Sequence, residues 1–226
     1  MLPLNLSFMT PLNGIVLAFT FGCAIYPAIY LYRFSFQRPK PCFPIVTLLI
    51  IAVTFLITGL EFVFPKLLFE FWRNRKALLA GEWWRIVTPL FVQVTGWQCL
   101  VNGVGVIVFC HLTERLYGKR LLALYFIPGV LGEIISYLWH PNWLGAGSSL
   151  GIAGVVGSLF AFILLRRREV SVLALIFAAF GCAGAVALCF FRDNHGPSIL
   201  IGVLLAGMMT ILRPNDEDKR TSRQRI

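Results

Sequence analysis

Apolar residues fall in about seven long runs along this chain, near 14–32, 43–64, 97–113, 121–139, 148–165, 170–191 and 196–212. A helix needs about 17 to 25 such residues to cross roughly 30 Å of hydrocarbon. A backbone in lipid must also satisfy its own hydrogen bonds, so each run predicts a transmembrane helix. The first run follows an N-terminus with no basic residue before Arg33 and no cleavage pattern, and reads as a retained helix rather than a signal peptide. The predicted fold class is an all-α polytopic membrane protein.

Composition agrees with the pattern. Of 226 residues 58% are hydrophobic and 13% charged, more apolar surface than a soluble domain of this length can hide. The net charge of +10 would admit a nucleic-acid partner, but its placement argues for none. Basic residues gather at Arg33, Arg38 and Lys40, at Arg115, Lys119 and Arg120, at Arg166, Arg167 and Arg168, and in the tail from Arg213. These are alternate connections, which the positive-inside rule assigns to the cytoplasm, with the N-terminus outside and the C-terminus cytoplasmic. The expected site is the cell membrane, plasma or inner. The tail 213–226 reads as disordered. Segment 65–96 breaks the charge pattern, since Lys66, Arg73, Arg75, Lys76 and Arg85 stand on the outer side among Phe, Trp and Leu. An interfacial loop with its rings at headgroup level and its basic heads in water is the expectation. The six cysteines form no C-x-x-C pair and read as apolar fillers, not as a metal site or disulfide framework.

Polar residues within the spans carry the chemistry, because each costs free energy unless it is paired or faces water. At 1.5 Å of rise per residue, Ser149 lies roughly 25 Å above Arg166 and His195 roughly 27 Å above Arg213. Gln98 lies about 17 residues above Arg115, and Asn102 sits one turn below it on the same face. Three spans thus bring Ser, His, Gln and Asn to one depth near the outer surface. His195, Ser198, Gly202 and Ala206 form one small stripe; Ser149, Ala153 and Gly157 form another, with Gly151, Gly154 and Ser158 beside it. Small stripes let membrane helices approach closely, and if these two face each other the Ser149 hydroxyl and the His195 ring come within reach. A histidine can take the proton of a serine nucleophile, and the amides of Gln98 and Asn102 with the Ser149 backbone N–H can stabilise the oxyanion. The bland reading is a capping serine, a structural histidine and helix-to-helix amide contacts.

Four stretches then carry a family resemblance. "GEWWRIVTPLFVQ", with Trp84 and Arg85, "ERLYGKR", with Glu114, Arg115 and Gly118, "GSSLGIAGVVG" and "HGPSILIG" resemble, in order, motifs of the rhomboid intramembrane serine proteases. The resemblance covers about 43–212 and implies a rhomboid-like six-helix core plus one extra N-terminal transmembrane helix with its linker in 1–42. It implies a Ser149–His195 dyad that cleaves transmembrane protein substrates in the lipid bilayer through an acyl-enzyme, with no metal, no cofactor and no third acid. Aligning Gly154 and Gly157 selects Ser149 over Ser148 as nucleophile, and Asp193 reads as a loop charge. Three positions depart from the family pattern: Leu150 stands where a glycine usually follows the serine, and Gln93 and Gln98 stand where histidines are common. They leave open the alternative of a catalytically inactive rhomboid-like protein that binds transmembrane helices. Glu133 is expected to hydrogen-bond within the bundle.

Overall fold

The computed structural model describes residues 11–36 and 43–211. The connection 37–42 and the tail 213–226 lie outside the described residues. Helix α1 (Pro11–Phe36) and α2 (Ile45–Val63) precede a loop that carries two short helices, α3 (Lys66–Phe71) and α4 (Arg75–Leu79). Helix α5 (Gly96–Gly105) continues through a π turn (Val106–Cys110) into α6 (His111–Tyr117). Then come α7 (Leu121–Trp139), α8 (Ser149–Leu165), α9 (Val172–Phe190) and α10 (His195–Ile211). Among the described residues no strand forms, and the chain is an all-helical membrane bundle.

Pro11–Arg33, Ile45–Val63, Gly96–Trp139 and Val172–Phe190 are long and apolar enough to cross a membrane. Gly96–Trp139 is two crossings, because Gly118 takes φ +62° and a 3-10 turn at Gly118–Arg120 reverses the chain between α6 and α7. A side chain is disfavoured at that φ, which explains the glycine of "ERLYG". Helices α8 and α10 are apolar but shorter, 17 residues each, or about 25 Å. Helix α8 is the centre of the bundle and is buried continuously from Leu150 to Ile163. A helix that is apolar on every side is one surrounded by others, and α7, α9, α10 and α1 all pack on it.

Glycine sets how closely they pack. A methyl on Gly157 would lie on the Ile199 carbonyl of α10, and one on Gly202 would lie on the Gly154 carbonyl of α8. The two backbones therefore touch along the stripes read from the sequence. On its other side α8 takes the Tyr125 ring against Gly151 and Pro128 against Gly154. At the end of the bundle remote from Ser149, Glu114 accepts hydrogen bonds from Val46 N (2.9 Å), Thr47 N (2.8 Å) and Thr47 Oγ1 (2.7 Å). It thereby satisfies the free N–H groups at the start of α2.

In the loop 65–96, Lys66, Arg75 and Lys76 are exposed, as expected of basic heads in water, but Arg73 and Arg85 are not. Arg73 and Arg85 are 3% and 5% exposed. Arg73 Nε pairs with Glu133 Oε2 of α7 at 2.6 Å, and Arg73 N donates to Gly145 O at 2.7 Å. Arg85 Nη1 donates to the carbonyls of Phe69 (3.0 Å) and Trp72 (2.9 Å), while its own carbonyl accepts from Tyr137 Oη (2.8 Å). Backbone carbonyls in a loop lack ladder partners, so an inward arginine can replace the water they would otherwise need. The loop is thereby tied to α7 and to the segment just before Ser149.

Candidate active site

Ser149 and His195 open α8 and α10, and the glycine seam aligns the two helix starts. Ser149 Oγ stands 2.9 Å from His195 Nε2. His195 is 8% exposed, and the edge of the Phe21 ring from α1 meets its ring with centroids 6.2 Å apart.

The segment before Ser149 is fixed from both sides. Gly147 has φ +144°, where glycine is strongly favoured, and donates to Pro89 O at 2.8 Å. A methyl on it would also collide with the Gln98 amide. Gln98 Nε2 donates to Ala146 O (2.8 Å) and its Oε1 accepts from Val94 N (2.9 Å). Gln98 thus spans two loops at this end of the bundle. Asn102, one turn along α5, lines the same groove as Ser149 and His195. Its Nδ2 donates to Gln93 Oε1 at 2.8 Å, and that nitrogen carries a second N–H. Gln93 Nε2 in turn donates to Ser148 Oγ at 3.3 Å, so Ser148 is wholly buried behind the site while Ser149 faces the groove.

Two departures from the motif gain a physical account here. Leu150 is 2% exposed and reaches toward α7 beside Gly132, so its side chain fills the core and leaves the groove clear. Gln93, by contrast, orients Asn102, a link that spacing could not reveal because the two residues lie on a loop and a helix.

Asp193 is not a loop charge in solvent. It is 7% exposed, and its Oδ1 accepts from both His195 Nδ1 (2.7 Å) and His195 N (2.9 Å). Burial pushes its carboxyl up, but the charge and the two hydrogen bonds of His195, with His140 behind them, outweigh burial and hold it below the usual carboxylate range. The Asp-x-His spacing at a helix start was the one available signal. Among the described residues, no group of three or more His, Cys, Asp or Glu converges as a metal site would require.

From Ser149 and His195 a groove of about 1260 Å³ runs along the bundle between α1 and the α5–α6 helix, with the start of α2 at its far end. Gly14, Ala18, Gly22 and Ile25 line it from α1, and Val104 and Ile107 line it from the facing helix. Its walls carry side chains more than half exposed, including Ile25, Val104 and Ile107. The π turn lies along this wall and adds a residue, which rotates the Asn102 face relative to the Glu114 face by about 100°.

A half-buried serine beside a buried histidine, at the head of an apolar groove, defines an α-helical, multi-pass membrane protein with side chains suited to acyl transfer. A family model described as the rhomboid domain matches residues 80–213, more than half of the chain, and the chain belongs to the rhomboid family. It is 29% identical over 142 residues to YdcA of Bacillus subtilis, covering 60% of this chain and 70% of that protein. It is 31% identical over 140 residues to the rhomboid protease GluP of the same organism, covering 59% of this chain and 27% of GluP. A weaker similarity, 25% over 119 residues, reaches inactive RHOMBOID-like protein 8 of Arabidopsis thaliana, covering 50% of this chain and 34% of that protein.

Proposed function

We propose that this chain is an intramembrane serine endopeptidase, and the observation that carries the reading is the 2.9 Å contact between Ser149 Oγ and His195 Nε2 at the head of the lateral groove. A substrate's transmembrane segment lies in the groove, between α1 and α5, and presents a peptide carbonyl to Ser149. His195 Nε2 takes the hydroxyl proton as Oγ bonds to the carbonyl carbon. The developing oxyanion accepts from Asn102 Nδ2 and from the Ser149 backbone N–H at the start of α8. Gln98 serves the oxyanion indirectly in this reading, by holding the 145–147 backbone. His195 then gives its proton to the leaving amine, and the acyl group stays on Ser149. Water attacks that ester, passing a proton to His195, which returns one to Oγ as the carboxyl product leaves. With the basic connections on the cytoplasmic side, this site opens near the outer face and the C-terminus is cytoplasmic.

A second reading is a rhomboid-like protein that binds transmembrane helices without cutting them, and the resemblance to an inactive plant relative favours it. The two separate on one experiment in reconstituted membranes. Cleavage of a model transmembrane substrate should be abolished in Ser149→Ala and His195→Ala. It should fall about 100-fold or more in Asn102→Ala, the usual loss on removing one oxyanion donor. Equal cleavage by wild type and Ser149→Ala would remove the protease reading, whereas retention of uncut substrate by wild type would support the second.

A further inference from the structure

We infer that Asp193 is a positioning residue for His195, so that this rhomboid works with a serine, a histidine and a buried carboxylate rather than with a pair alone. The inference rests on the protease reading above. A carboxylate oxygen can only accept, so the 2.7 Å contact with Asp193 Oδ1 puts the ring hydrogen on Nδ1. The Nε2 lone pair is then the one that faces the Ser149 hydroxyl at 2.9 Å. When His195 takes the serine proton, the ring becomes a cation with Asp193 already beside it, in a site where neither side chain is more than 10% exposed.

The surroundings hold the carboxylate in place. Helix α9 ends with Asp193 N donating to Leu188 O at 2.9 Å, and Arg192 adopts φ +56°, a left-handed conformation uncommon for a residue with a side chain. That turn aims Asp193 back at the start of α10. His140 Nε2 contacts the Arg192 carbonyl at 2.8 Å and braces it from the α7–α8 connection. Gly196 fits the close approach that follows, since a methyl there would meet the Ala185 carbonyl at 2.6 Å. One oxygen, Oδ1, serves both the backbone N–H and the ring of His195. The carboxylate is therefore locked to the base it orients.

A purely structural role, capping the first turn of α10, is the competing account, and Asp193→Asn distinguishes them. Asparagine keeps the Oδ1 acceptor for both N–H groups and a good cap, but removes the charge. Thermal unfolding should stay close to wild type, while kcat for a transmembrane substrate falls about 10- to 100-fold and KM stays within about twofold. Asp193→Ser, a second uncharged cap, should show the same split between kcat and KM. Wild-type kcat in either variant overturns the inference and leaves the Ser149–His195 reading intact. Failure of a fluorophosphonate to label wild type above Ser149→Ala overturns both.

Discussion

The seam between α8 and α10 and the groove between α1 and α5 both end at Ser149, and they are built in opposite ways. At the seam, glycines let backbone rest on backbone, and nothing larger fits at Gly157 or Gly202. At the groove, Gly14 and Gly22 of α1 have no atom outside their own helix within 4 Å of where a side chain would begin. The same residue type that forces contact on one helix leaves an opening on the other. The seam sets Ser149 Oγ 2.9 Å from His195 Nε2, the close placement that acyl transfer needs. The groove leaves an apolar volume beside Ser149, which the proposed transmembrane substrate would occupy.

Breaking the seam should do the most damage. Gly202→Leu would force α10 away from the Gly154 carbonyl, at a cost of about 3 kcal/mol or more, since backbone cannot yield as a side chain can. Thermal unfolding should shift downward by several degrees, and Ser149 labelling by a fluorophosphonate should be lost. Filling the groove should act selectively. Gly22→Leu adds a side chain to open space on a helix that leucine favours, so folding and labelling by a small probe should match wild type. Cleavage of a transmembrane substrate should drop about tenfold, through KM. Equal losses against both reagents would mean that α1 does not border the substrate path.

Phe21→Ala tests the point where the two regions meet. Its ring edge supports His195 from α1, an aromatic contact worth about 0.5–1.5 kcal/mol, so probe and substrate should both slow a few-fold.

Much of the seam was legible in the sequence. The small residues at Gly157 and Gly202 recur at helical spacing, and the depth of Ser149 and His195 follows from counting upward from Arg166 and Arg213. The helix boundaries sit within a few residues of the apolar runs because hydrophobic length is itself the physical constraint. Pairings remote in sequence were not legible. Arg73 finds Glu133 across 60 residues, and an arginine in an aromatic loop reads as solvated until that partner is known. Asp193 was misread for a related reason: charge in a connection is usually exposed, and only the turn at Arg192 shows that this one points inward. The inward reach of Leu150 depends on where Gly132 stands on α7, which spacing along α8 does not encode.

The central claim is that Ser149, and not its neighbour, is activated by His195. The most direct test is the rate of fluorophosphonate labelling in wild type, Ser148→Ala and Ser149→Ala, measured side by side in the same membranes. Wild type and Ser148→Ala should label, the latter within about tenfold because Ser148 is buried behind the site and supports Gln93, and Ser149→Ala should not label at all. Labelling that survives in Ser149→Ala, or disappears only in Ser148→Ala, would contradict the account.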